Sequence, residues 1–441
     1  MLIRLPWLFT RRRLLVALLV DCSLFALLFA GWFQLRFGSW PSFSMPLTWL
    51  LEFWLLCSYV SGRYYDQEER PSAMALKQLV RTLLTLLLST AVYLAYLWIT
   101  AIGAAPTDAR GFLLPFLLAL ALSSGLLQLG LNTLLRQRFA DLESWLVVGS
   151  AGFRQRLESE LQWARQTARL IEESAAPERV VVEDFSLLAS EQQRRLLVLQ
   201  ADGAAVHSTL GWCEQVLQRF PPDLLKSADL LRGEFAAPHG SLQKRLKRLG
   251  DVLVSGLLLV LTAPLLLLAA LLIWLEDHGP VFYGQLRSGL DGLPFQVWKL
   301  RSMRVNAEGS GAQWSGRGDP RITRIGRLLR VTRLDELPQL WAVLRGQMSL
   351  IGPRPERPEI EQELEQKIQH YRLRHLIRPG LSGWAQVNYP YGASLEDSAK
   401  KLSYDLYYLR NFSFWLDLLI LVKTMRLVLN ARGAVPVDSS I

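Results

Sequence analysis

Five apolar stretches constrain this chain more than anything else in it. Four lie near the start, at 14–35, 46–61, 82–102 and 111–134, and a fifth covers 252–275. A helix of about 20 apolar residues crosses the hydrocarbon of a bilayer, and in lipid every backbone polar group must be satisfied internally. The first four stretches therefore predict a four-helix transmembrane bundle. Arg11, Arg12 and Arg13 precede the first of them as they would in a signal peptide. That stretch is long, lacks a small-residue cleavage pattern and is followed by more of the same, which favours an anchor. Loop 62–81 carries Arg63, Arg70, Lys77 and Arg81, and Arg136 and Arg138 end the fourth stretch. Loops 36–45 and 103–110 hold one arginine each. The positive-inside rule then places the N-terminus, loop 62–81 and everything after 134 in the cytoplasm. Asp21 and Glu52 sit inside the stretches. An acid there is a functional candidate by default, and a polar contact between helices is the competing reading.

Composition agrees. Hydrophobic residues make up 51% of the 441 and charged residues 20%, against about 25% charged in soluble domains, which excludes a disordered or ordinary secreted chain. At roughly 150 residues per domain, this length predicts about three domains. The net charge of +10 fits phosphate-rich partners or an anionic bilayer surface. Cys22, Cys57 and Cys213 form neither a disulfide framework nor a zinc spacing, so a reducing compartment is expected.

Residues 141–235 alternate differently. Trp145–Gly149 reads as a buried strand, followed by an amphipathic helix around 153–167 and further strands at 168–171 and 179–183. That alternation predicts a small Rossmann-like α/β domain. Gly149-Ser-Ala-Gly152 follows the first strand but lacks the three-glycine phosphate fingerprint, so a degenerate structural or regulatory domain is expected over 140–240. The fifth stretch has Lys244, Arg245, Lys247 and Arg248 before it and Pro264 in its middle. Proline removes a helical hydrogen bond and kinks a helix. If the segment spans, 276–441 is exported; if it breaks at Pro264 and turns back, 276–441 stays inside.

Beyond it, 281–286 and 293–300 alternate as strands around Gly289–Gly292, a credible hairpin. The second strand delivers Lys299, Arg301 and Met303, and arginines recur at 317, 321, 324, 327, 330 and 333. A step of three drifts around a helix, so a solvated basic surface is the plain explanation. Leu334-Asp-Glu-Leu-Pro-Gln339 follows and leads into a helix through 337–344. Asp335 reads simply as an N-cap, with Pro338 in the first turn. The same helix N-terminus would let a carboxylate work beside a phosphoryl group, and with Glu336 it makes a pair suited to Mg²⁺ shared with a diphosphate. Arg354 stands between Pro353 and Pro355, a stiff mount for a guanidinium that can grip phosphate in two places. Arg378-Pro-Gly380 with Ser382–Gln386 forms a second rigid turn. The stretch 412–430 is apolar but interrupted by Asp417, Lys423 and Arg426, which favours an interfacial helix.

Taken in order, Gly279–Phe282, Lys299–Met303, Asp319–Thr323, Leu334–Gln339, Met348–Pro355 and Arg378–Gln386 resemble the bacterial polyprenyl-phosphate hexose-1-phosphate transferases. These are the monotopic phosphoglycosyl transferases that prime exopolysaccharide synthesis, and the likeness covers 241–434. The bundle and α/β domain resemble the long form. Tyr389–Ser394 with Tyr404–Tyr408 resembles the exosortase-associated branch. The resemblance implies a bundle over 1–139 and a mainly α catalytic domain over 241–441, with a small β-hairpin and a re-entrant helix at 252–275. It implies Asp335 as nucleophile of a phosphosugar–enzyme intermediate and Glu336 as its partner, both on Mg²⁺. Arg330 and Arg354 would hold phosphates, with Lys299, Arg301 and Arg378 nearby and Asp417 a structural or catalytic acid.

Two positions depart from the family pattern. Ala263-Pro264 replaces the common Ser-Pro at the helix break, so a serine's hydrogen bonds must come from elsewhere, Thr262 being the nearest hydroxyl. Arg333 replaces a small hydroxyl residue, with no consequence expected for the chemistry. The expected activity moves a hexose 1-phosphate from a UDP-sugar to undecaprenyl phosphate and releases UMP, at the cytoplasmic face of the bacterial inner membrane. The expected partners are those two substrates, the lipid bilayer and, in a homodimer, a second copy of the chain. The rivals are an anionic-lipid-binding scaffold, which has no use for an Asp-Glu pair among arginines, and a nucleic-acid-binding regulator. The second lacks base-stacking aromatics among the arginines of 317–333, so no nucleic-acid partner is expected.

Overall fold

A computed structural model describes residues 12–41, 45–64, 71–100, 110–138, 144–164, 168–172, 177–235, 242–305, 307, 319–389, 392 and 394–429. Arg11, Arg317 and, in the segment 389–394, Pro390, Tyr391 and Ala393 lie outside them. The chain forms two compact units, one of residues 7–143 and one containing 144–441.

The first unit consists of α1 (Arg12–Phe37), α2 (Met45–Ser61), α3 (Pro71–Thr100) and α4 (Arg110–Arg138). Leu14–Phe37, Lys77–Trp98 and Phe112–Leu131 are long and apolar enough to cross a membrane, and Leu47–Ser61 is a shorter apolar helix. Between helices in lipid, packing and polar contacts must replace the hydrophobic drive. Here Phe25 and Phe29 meet Phe116 edge to face at 5.3 and 5.5 Å. Asp21 is fully buried and accepts from Tyr64 at 2.5 Å, Ser124 at 2.6 Å and Gln128 at 3.0 Å, with Arg63 at 3.6 Å. Asp21 is thus a contact between helices, satisfied on every side, while Glu52 is exposed.

The second unit begins with a parallel sheet. Its strands β1 (Ser144–Val148), β2 (Arg169–Ile171), β3 (Arg179–Val182) and β4 (Ala205–Ser208) lie in the order β2-β1-β3-β4. Helix α5 (Ala151–Ala164) follows β1 and buries Phe153, Leu157 and Leu161. Residues 213–235 then leave this domain's sheet and pack against the C-terminal part. Phe220 donates its N–H to Ser403 O at 2.8 Å, and its ring lies 5.8 Å from Tyr407. Trp384 Nε1 donates to Gln218 O at 3.0 Å. Buried Arg219 pairs with Glu160 of α5, which also accepts from Lys400 at 2.9 Å.

The fifth apolar stretch is the middle of one 36-residue helix, α6 (Leu242–Asp277), with Pro264 inside it. Lys247 pairs with Asp417 at 2.7 Å, Arg248 donates to Val343 O and Leu344 O at 2.5 and 2.7 Å, and Asp251 accepts from Leu350 N at 3.0 Å. At the other end, Ala269 and Ile273 pack with Leu300 and Leu329, Glu276 accepts from Arg324 N at 3.0 Å, and Asp277 pairs with Arg301. Both ends are fastened to one folded body. The helix runs on through Pro264 as one element and does not turn back there, unlike the break that the sequence reading expects at that position. Pro264 has no N–H for Val260 O, and Thr262 donates to a different carbonyl, Leu258 O, at 2.7 Å.

The body itself holds an antiparallel hairpin, β5 (Phe282–Ser288) with β6 (Pro294–Leu300), and a short parallel pair, β7 (Ser349–Ile351) with β8 (Gly380–Ser382). Around them lie α7 (Arg324–Thr332), α8 (Pro358–Lys367), α9 (Leu395–Asn411) and α10 (Phe414–Leu429).

Candidate active site

The Asp-Glu pair occupies a tighter element than the sequence predicts. Arg333 adopts a left-handed conformation, φ 59°, and closes α7 through its N–H to Leu329 O and Arg330 O. A 3₁₀ helix, 334–339, starts at once, with Asp335 and Glu336 buried in its first turn and Pro338 inside it. This corrects the N-cap expectation. The C-cap residue of one helix is the N-cap of the next, so no extended residue remains for Asp335 to be.

Glu336 is clamped by three cations. Its Oε1 accepts from Lys299 Nζ at 2.9 Å and from Arg354 Nη2 at 2.6 Å, and Arg333 Nη1 lies 3.6 Å from Oε2. Burial alone would raise this carboxyl, but Arg354, Lys299 and Arg333 outweigh it and hold it well below the ordinary range. Arg333, expected to be neutral for the chemistry, is therefore a third counter-charge on Glu336. Its left-handed turn is what bends the guanidinium toward a residue three positions on. Asp335 is different. Burial first, then the Glu336 charge, raise its carboxyl to about 6 against the pull of Lys299, Arg330 and Arg333. Its Oδ1 is buried with no hydrogen-bond partner. Arg330 is oriented by Ser302, whose Oγ accepts from Nε at 2.9 Å.

Arg354 sits on a loop held from outside. Pro353 and Pro355 have no N–H to donate, so the loop cannot close a turn on itself. Its carbonyls are met one by one: Pro353 O by Gly380 N at 2.8 Å, Arg354 O by Arg374 Nη2 at 2.8 Å, Pro355 O by Arg287 Nη1 at 3.1 Å and Glu356 O by Ser288 N at 3.0 Å. The turn Arg378-Pro-Gly380 backs this loop through its main chain. A Cβ on Gly380 would collide with Gly352 N and with Ser382 O. Gly380→Ala should therefore cost about 1–3 kcal/mol by overpacking, lowering the melting temperature and moving the arginine loop. An unchanged melting temperature would show that the close approach is not needed.

The other expected site residues make different contacts. Arg301 pairs with Asp277 at the end of α6, and its Nε and Nη1 are buried without partners. Arg378 is exposed. Asp417 accepts from Lys247 and, at 2.6 Å, from Tyr408, which makes it a tie between α6 and α10. Three further groups, Arg287, Arg374 and Asp405, carry no signal in the sequence that marks them. Their roles depend on contacts between distant segments, which no local spacing announces. In the α/β domain, Glu183 Oε2 accepts from Ser150 N at 2.8 Å at the start of α5, and a Cβ on Gly149 would strike the same side chain. The chain's own carboxylate thus fills the place a phosphate would take there.

Chemically, the centre offers one carboxylate kept ionised by cations and, beside it, a second with an unpartnered oxygen. Among the described residues no group of three or more His, Cys, Asp and Glu could hold a metal. Two carboxylates still fit Mg²⁺, which keeps waters and takes further oxygens from a phosphate substrate. The free Oδ1 of Asp335 suits that best, since Glu336 is already engaged.

Residues 242–431 match the model of the bacterial sugar transferase family. Over 189 residues the chain is 47% identical to an Aeromonas hydrophila UDP-N-acetylgalactosamine-undecaprenyl-phosphate N-acetylgalactosaminephosphotransferase, covering 43% of this chain and 45% of that one. It is 42% identical over 193 residues to a UDP-glucose:undecaprenyl-phosphate glucose-1-phosphate transferase of Klebsiella pneumoniae, covering 43% and 42%. The matches span less than half the length of these two relatives. A Caulobacter vibrioides protein of the same name as the second is 42% identical over 222 residues, which cover 49% of this chain and 83% of that one.

Proposed function

This chain belongs to the bacterial sugar transferase family, and on that premise we propose that it transfers a hexose 1-phosphate from a UDP-sugar to undecaprenyl phosphate, releasing UMP. The carrying observation is the pairing of a cation-clamped Glu336 with Asp335, whose buried Oδ1 has no partner. In the first step an Asp335 oxygen forms a bond to the β-phosphorus, and the bond from that phosphorus to the bridging oxygen breaks, so that UMP leaves. In the second, an oxygen of undecaprenyl phosphate attacks the same phosphorus and returns the Asp335 carboxylate.

Arg330 and Arg354 neutralise the diphosphate while the nucleophile approaches, and Lys299 and Arg333 keep Glu336 ionised beside it. Bound Mg²⁺, held by Asp335 with help from Glu336, would supply further charge neutralisation. The attachment of both ends of α6 to this body supports a site that stays at one bilayer face. We assign that face to the cytoplasmic side of the bacterial inner membrane, where UDP-sugars and the acceptor's head group meet, and the product to the priming of exopolysaccharide synthesis. The relatives' names differ in their sugar, so the donor is identified by experiment. Purified protein supplied with undecaprenyl phosphate and Mg²⁺ should release UMP from one or a few of a panel of UDP-sugars. UMP release from none of them would leave the lipid-binding scaffold as the better account.

A further inference from the structure

We propose that Arg374 is a positioning residue for the donor site: aimed by Asp405, it holds the carbonyl of Arg354 and so fixes where the Arg354 guanidinium points. The inference rests on the reading of Arg354 as a contact to the donor diphosphate. Arg374 lies in a 3₁₀ turn, 371–376, and Asp405 on α9, 31 residues on, and both are buried.

The guanidinium reaches four groups from four segments. Its Nη1 donates to Tyr371 OH at 2.6 Å and faces Glu361 Oε1 of α8 at 3.5 Å, while Nη2 faces Asp405 Oδ2 at 3.1 Å and donates to Arg354 O at 2.8 Å. Nη2 thus bridges a buried anion to a carbonyl that cannot be served locally. The residues on either side of Arg354 are prolines, and its side chain must turn toward Glu336 rather than back on its own loop. The planar fork makes these contacts together in one orientation, Nη1 on Tyr371 and Nη2 on Asp405 and Arg354. A lysine offers a single rotating ammonium and cannot reproduce that fork.

Tying a loop differs from merely filling the core, because its effect should pass through Arg354 and vanish without it. The test is a double-mutant cycle on the full chain, read as affinity for UDP with Mg²⁺, the donor without its sugar. Arg374→Lys should weaken UDP by fivefold or more, and raise the donor KM by more than it lowers kcat. On an Arg354→Ala background, the same change should weaken UDP by less than twofold. Asp405→Asn keeps side-chain volume and is read in parallel, so a poorly folded Arg374→Lys does not stop the experiment; it should show the same coupling. Equal losses on both backgrounds would overturn the proposal, as would wild-type affinity in folded Arg374→Lys. A wild type that binds no UDP overturns the functional reading itself, a result the cycle does not mimic.

Discussion

Asp335→Asn should fold normally and lose turnover by about 10³-fold or more, a barrier increase of about 4 kcal/mol. The amide has the size of the carboxyl, and Asp335 caps no helix and makes no hydrogen bond through Oδ1, so stability has little to lose. The nucleophile itself is gone, because an amide oxygen beside cations is a poor donor of electrons to phosphorus. In the unsubstituted enzyme the carboxyl is raised to about 6, burial being the main cause. Below that pH it takes up a proton and ceases to be a nucleophile. The value of kcat/KM should therefore fall on the acid side, with a midpoint no higher than about pH 6 because Mg²⁺ on the same carboxylate lowers it, and stay level above it until another group titrates. A folded Asp335→Asn working within tenfold of wild type would favour direct attack by the lipid phosphate on the donor.

Arg354→Lys keeps the charge and should still lose most of the activity. The native guanidinium reaches Glu336 Oε1 at 2.6 Å from a loop whose four carbonyls are each held by an outside donor. Hydrogen bonds to charged groups are worth roughly 1.5–3 kcal/mol, and the lysine forfeits the two-point grip on phosphate. A fall of about 10- to 100-fold in kcat/KM follows from that range. Near wild-type turnover would remove Arg354 from the donor site.

How much of this was legible in the sequence varied with the range of the interaction. Period and length sufficed for the four N-terminal helices, the hairpin and the α10 helix, because apolar spacing acts over neighbouring residues. The stiff mount of Arg354 could be read from its two prolines, but not the outside donors that hold it. The contact of Arg333 with Glu336 is not legible, because it goes with a left-handed backbone of which a residue other than glycine gives little hint. The N-cap alternative for Asp335 fails for the same reason. The resemblance leaves Asp417 a structural or catalytic acid, and only the fold reveals its tie to Lys247, 170 residues earlier. Contacts of that separation leave no trace in local spacing.

The most direct test of the central claim is to look for the covalent intermediate. Wild-type protein is incubated with its UDP-sugar and Mg²⁺ in the absence of any polyprenyl phosphate, then cleaved with trypsin. The peptide Leu334–Arg345, which carries Asp335 and Glu336, should gain the mass of a hexose phosphate, matched by UMP released in step with the adduct. The adduct should disappear on adding undecaprenyl phosphate and be absent from Asp335→Asn. An enzyme that releases UMP only when undecaprenyl phosphate is present, with this peptide unmodified throughout, would contradict the account.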